Sequence, residues 1–139
     1  MSPEIRKFLE QARVGHLATV DGQGRPSVMP ICFQVHKNQI YSVLDEKPKR
    51  ADVRRLQRVR NIETNAYAAV VVDRWDEDWR WLAWIHMRGK AQTIEAGDTQ
   101  RFAINLLRAK YPQYRDMELD ERPVIVVDVD VIRTWGNLG

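Results

Sequence analysis

The sequence holds a single cysteine, Cys32, among 139 residues. One thiol cannot build an internal disulfide framework, and such a chain suits a reducing compartment. No apolar run reaches roughly 18 residues, and no signal-peptide-like hydrophobic region is present. A soluble cytoplasmic protein with no membrane partner is the expectation. The three histidines, His16, His36 and His86, are scattered, with no H-x-x-x-H and no Cys/His pairing at ligand spacing. That argues against a metal centre. The sequence lacks GxSxG and GxxxxGK[ST], and with them the signatures of α/β-hydrolase acyl transfer and of P-loop phosphate binding. There is no internal repeat, low-complexity tract or second domain, so residues 1–139 read as one domain. Net charge is only +3, which makes a general polycationic nucleic-acid coat, and nucleic acid as a partner, an unfavoured reading.

The basic charge is concentrated instead. From Ser42 to Asn61 the chain runs SVLDEKPKRADVRRLQRVRN, and seven basic residues fall between positions 47 and 60. Such a cluster costs self-repulsion, which a bound anion relieves. Arginine can grip phosphate with two donors, and lysine adds a point charge. The bland alternative is a solvated helix face. The second concentration is aromatic. Of five tryptophans, Trp79, Trp81 and Trp84 fall within six residues. Core or interface packing accounts for most of them; Trp84 is drawn toward a site because its strand face also carries His86 and Arg88. Cys32 lies in a strand and reads as a small buried hydrophobe rather than a nucleophile.

Periodicity gives the elements. Ser2-Pro3-Glu4 signals a helix start, and Ile5, Phe8, Leu9 and Ala12 give it one apolar face to about Ala12. Strands follow at Gly15 to Val20, at Arg25 to Val35 and at Gln39 to Leu44, with turns at Asp21 to Gly24 and His36 to Asn38. Pro30 cannot donate to a ladder, which points to an edge or a bulge. The basic segment is expected to be a helix with Val53, Leu56, Val59 and Ile62 inward and Arg54, Arg55, Arg58 and Asn61 toward the other side. Tyr67 to Asp73 and Trp81 to Ile94 read as strands. In the second, Trp81, Ala83, Ile85 and Met87 share one face and Leu82, Trp84, His86 and Arg88 the other, and Gly89 marks a bulge or close backbone approach. Asp98 is expected to cap a helix to about Ala109 that buries Phe102, Ala103, Leu106 and Leu107. A last strand covers Pro123 to Trp135, with Ile125, Val127, Val129 and Val131 on one side and Asp128 and Asp130 on the other. The order helix, three strands, helix, two strands, helix, strand predicts an α+β, mainly β architecture in which the sheet closes as a barrel.

The ordered set GHLATVDGQGRPSVMPICF, QIYSV, KPKR and LQRVRNIETN before an apolar strand resembles the flavin-binding split-barrel proteins. That family is related to pyridoxamine 5′-phosphate oxidase and includes the deazaflavin (coenzyme F-420)-dependent reductases. The KPKR insertion and Glu77-Asp78-Trp79 look most like the actinobacterial-type F-420 subgroup. The resemblance implies a six-stranded antiparallel split β-barrel with flanking helices, a homodimer, and cofactor sites at its interface. It also implies that Met29, Pro30 and Ile31 line the ring, that Ser42 contacts the adjoining chain, and that Arg58 binds the phosphate. Lys47, Lys49 and Arg50 would hold an anionic tail, and Trp84 of the partner subunit would wall the substrate pocket. The expected activity is hydride transfer between a bound deazaflavin and a small organic acceptor. The coenzyme carries that chemistry, so no acid–base pair need stand out and no catalytic residue is assigned. FMN is the alternative coenzyme, with a pyridoxamine 5′-phosphate oxidase-like protein as the alternative reading. A non-catalytic flavin carrier or a barrel binding single-stranded nucleic acid stays open as a different class.

Overall fold

The computed structural model describes residues 1–45 and 56–139. Lys47, Lys49, Arg50 and the expected helical positions 53–55 lie outside the described residues. Helix α1 spans Pro3–Gln11, and its Ser2 cap accepts a hydrogen bond from the Ile5 amide at 3.2 Å, as the Ser-Pro signal predicts. Strands β1 (Gly15–Val20), β2 (Pro26–Ile31), β3 (Gln34–His36) and β4 (Gln39–Val43) follow, then helix α2 (Gln57–Thr64). Strands β5 (Tyr67–Arg74) and β6 (Ala83–Ile94), helix α3 (Asp98–Lys110) and strand β7 (Val124–Gly136) complete the chain.

Among the described residues seven strands form one antiparallel sheet in the order β2-β1-β5-β6-β7-β4-β3. The edge strands β2 and β3 are separated in the chain by Cys32 and Phe33 alone. Two residues bridge only about 10 Å, so the two edges must lie close together and the sheet curls into a half-barrel. Seven strands, not six, result from this break in the single strand expected over Arg25 to Val35. The Phe33 amide leaves the ladder and donates to the Tyr111 hydroxyl at 3.0 Å. Pro30 sits on an edge strand, where its missing N–H costs little.

Two apolar clusters fill the structure. One lies inside the curl, around Leu17, Phe33, Val70, Ile85 and Met87. The other packs α3 against the back of β4 and β7, through Tyr41, Val43, Ile104, Leu107 and Val126. Val124 to Val127 are therefore buried on both faces, so alternation is invisible there. The stripe that α3 buries is Gln100, Ala103, Ile104, Leu107 and Lys110. Phe102, expected inside, is 40% exposed and meets His36 and Tyr41 edge-on. Polar residues replace it because each finds carbonyl acceptors: Gln100 donates to Asp120 and Arg122. Gly97, not Asp98, caps this helix, at a φ of 103° that suits glycine. Trp81 belongs to a 3-10 turn (Trp79–Trp81) rather than to β6.

The β6–β7 pairing carries a register shift. Gly89 pairs with Val129 but Arg88 pairs with Val131, leaving Asp130 as the extra residue. The bulge reverses the alternation of β7. Ile132 now opposes buried Met87, and Val131 and Arg133 turn to the outer face, so the expectation that Val131 points with Ile125 is corrected. The shift depends on Gly89, where a Cβ would sit 1.7 Å from the Asp128 carbonyl oxygen. Gly89→Ala is expected to cost about 3 kcal/mol by denaturant unfolding, the upper range for overpacking.

Candidate functional site

A small recess opens where β2, β4 and the start of α2 meet. Pro30, Ile31, Cys32, Ser42, Asp45 and Arg58 are among its walls, and its volume is about 180 Å³. Ser42 is buried on β4, opposite Ile125 of β7. Arg58 is buried at the N-terminal turn of α2, which corrects the expectation of an outward side chain. Asn61 is buried too, where its amide donates to Thr19 Oγ1 of β1 at 3.0 Å and accepts from Gln57 at 2.6 Å. That polar lock turns the Arg58–Asn61 side of α2 inward and brings the guanidinium to the recess. Asp45 Oδ2 accepts a 2.5 Å hydrogen bond from the Tyr114 hydroxyl. Burial, followed by this bond to Asp45, raises the Tyr114 pKa strongly, so the phenol stays a donor. Asp45 and Arg58, on either side of positions 46–55 in the sequence, both line the recess.

The wall formed by Pro30 to Cys32 is held from behind. Lys110 Nζ donates to the carbonyls of Leu9 and Phe33 at 3.1 and 2.9 Å and lies 4.0 Å from the Phe33 ring centroid. Tyr111, which accepts from the Phe33 amide, lies within hydrogen-bond reach of the Arg13 and Phe33 carbonyls. Burial, then the charge of Arg13, lowers the Lys110 pKa to about 8, and burial raises that of Tyr111 to about 12.

A larger groove of about 710 Å³ lies on the outer face of the sheet. One row of cross-strand partners runs along it: Pro30, His16, Val71, His86 and Arg133. Pro30 lines the recess, and its cross-strand partner His16 lines the groove. A second row on the same face joins Asp73, Trp84 and Trp135.

Among the residues picked from the sequence, Pro30, Ile31, Ser42 and Arg58 thus come together. Met29 does not join them; it pairs with inward-facing Leu17, on the opposite side of β2 from Pro30. Trp84 lies three strands from Pro30, on the groove. Lys47, Lys49 and Arg50 fall outside the described residues. Sequence reasoning missed Asp45, Tyr114 and Lys110, which carry no motif. It also missed Arg133, which Gly89 could have flagged through the bulge.

A curled antiparallel sheet with a recess at its closing edge defines the class, and its family follows. The family described as pyridoxamine 5′-phosphate oxidase matches residues 1–136, and the chain belongs to it. No functionally curated protein matches the chain. In fold it is similar to a conserved hypothetical protein from Mycobacterium tuberculosis, at 18% identity and TM-score 0.78, over 98% of this chain and 85% of that one. It is also similar to a putative 5-nitroimidazole antibiotic resistance protein from Bacteroides thetaiotaomicron, at 16% identity and TM-score 0.72, over 96% and 82%. The heme storage protein HutZ from Vibrio cholerae is similar at 15% identity and TM-score 0.72, over 97% and 93%. At these identities the likeness is one of fold.

Lys110 yields a pH test. Between pH 8 and its ordinary 10.5 the folded protein binds fewer protons at this amine than the unfolded chain. Stability therefore rises with pH across that window, and below it the full cost of burying the charge is present. Arg13, Glu10 and Cys32 are the groups that act on this amine. From about pH 8 to about 10 the denaturant midpoint of the wild type should rise relative to that of Lys110→Met; the raised tyrosine pKa values, which act in the opposite sense near pH 10, are common to both proteins.

Proposed function

We propose that the protein is an oxidoreductase that binds a deazaflavin (coenzyme F-420) and serves hydride transfer to a small organic acceptor, with FMN as the alternative coenzyme. The observation that carries this reading is the meeting of Arg58, Ser42, Pro30 and Ile31 in one recess. Both size and donor set fit such a coenzyme. The recess has room for a phosphate and the chain beside it, with a buried guanidinium and a hydroxyl as donors. The groove on the outer face is several times larger and has room for a tricyclic ring. Family membership adds support, since members in general bind FMN.

Arg58 and Ser42 hold the phosphate in this reading, and Lys47, Lys49 and Arg50 hold a longer anionic tail. The coenzyme supplies the hydride chemistry. The chain's part is positional. Pro30 offers a flat apolar wall, and the open edge of β2 offers backbone groups to the polar rim of a ring. The protein is proposed to act as a homodimer, in which the partner subunit's Trp84 closes the substrate pocket. Half-exposed Trp84 and its neighbour Trp135, 53% exposed, suit an apolar contact of that kind.

A second reading, binding of a tetrapyrrole, is favoured by His16 and His86, two imidazoles on one groove. HutZ, similar in fold, is a heme storage protein. Titration with F-420, FMN, hemin and an oligonucleotide separates these readings. F-420 or FMN should bind, and Arg58→Ala and Lys47→Ala should each weaken binding about tenfold. Oligonucleotide binding with no response to either flavin would sink the first reading. A hemin Soret shift that His86→Ala removes, again without flavin binding, would favour the second.

A further inference from the structure

The groove is apolar along its floor and cationic at one end. Val28, Val71 and Val131 form the floor and Trp84 one wall. Arg88 opposes Val131, and Arg133 stands two residues further along β7. The two guanidiniums are therefore diagonal neighbours on one face, with Cα atoms roughly 6–8 Å apart. Both side chains are exposed. Among the described residues neither forms an ion pair or hydrogen bond. The groove's carboxylate, Asp73, lies two strands away from Arg133, in the Trp84 row. His86 is directly opposite Arg133 and adds an N–H donor beside the pair. His16 and His86 flank Val71 across two strand spacings, roughly 10 Å.

Two neighbouring positive charges that form no ion pair among the described residues repel, and they do so over an apolar floor that a solvated inorganic anion cannot use. A ligand that satisfies both features is flat, apolar and acidic at one end. The arginine pair is also a consequence of the bulge, which alone turns Arg133 to this face. We propose that the groove binds a flat aromatic carboxylate. Its ring lies on Val71 against Trp84, and its carboxylate lies between Arg88 and Arg133. Guanidinium matches carboxylate with paired donors, and the indole face suits a stacked ring. As the acceptor site, this groove rests on the coenzyme reading above; as a binding site for such an acid it does not.

The test uses naphthoate and its uncharged analogue naphthalenemethanol, titrated calorimetrically into the full chain without coenzyme. The wild type should bind naphthoate at least about tenfold more tightly than the alcohol. Arg88→Gln and Arg133→Gln should each remove most of that preference, leaving the affinity for the alcohol unchanged. Equal affinity for acid and alcohol in the wild type overturns the proposal, whatever the variants do. A preference that survives both substitutions overturns it as well. If naphthoate binds as stated while neither coenzyme binds the wild type, the coenzyme reading fails and the acid site stands.

Discussion

The closure of the sheet turns on one residue. Phe33 sits between the two edge strands, and its amide and carbonyl are both taken by the end of α3: the amide by Tyr111, the carbonyl by Lys110. Buried backbone groups that leave a ladder must find partners elsewhere or cost about 1–3 kcal/mol each. Tyr111 and Lys110 provide them, and the chain can pass from one edge of the sheet to the other in two residues. That passage curls the sheet, carries Pro30 to Cys32 to the rim beside Ser42, and leaves the recess at the seam. The use of a buried ammonium for this purpose explains a lysine in the buried stripe of α3.

A second constraint shapes the outer face. The contact of Gly89 with the Asp128 carbonyl admits the bulge, and the bulge decides which β7 side chains see the groove. Recess and groove thus have separate structural origins, one in the seam and the other in a register shift. They meet at Pro30, whose ring lines the recess and which pairs with His16 of the groove. A ligand long enough to occupy both would run past this residue.

Much of the scaffold was legible from the sequence. The Ser-Pro cap of α1, the short strands and the two faces of β6 follow from local chemistry and periodicity, and the structure carries them. The break at Cys32 and Phe33 was not legible, because its partners Lys110 and Tyr111 stand more than 70 residues away. The reversal in β7 was hidden for a similar reason: an extra residue at Asp130 looks like ordinary alternation until the facing Gly89 is considered. Polarity alone assigns Arg58 and Asn61 to the outer side of α2. The hydrogen bond from Asn61 to Thr19 shows how that face is buried. Four of the ring and phosphate residues inferred from resemblance nevertheless share one recess, since they sit on neighbouring elements at the seam.

The seam is proposed to bind the anionic end of a flavin-type coenzyme. A crystal structure of the protein grown with F-420, and a second with FMN, tests it most directly. Phosphate density is expected within hydrogen-bond distance of both the Arg58 guanidinium and Ser42 Oγ, with the ring on the groove side of Pro30. A coenzyme phosphate bound elsewhere, with the recess between Ser42 and Arg58 filled only by water, would contradict it.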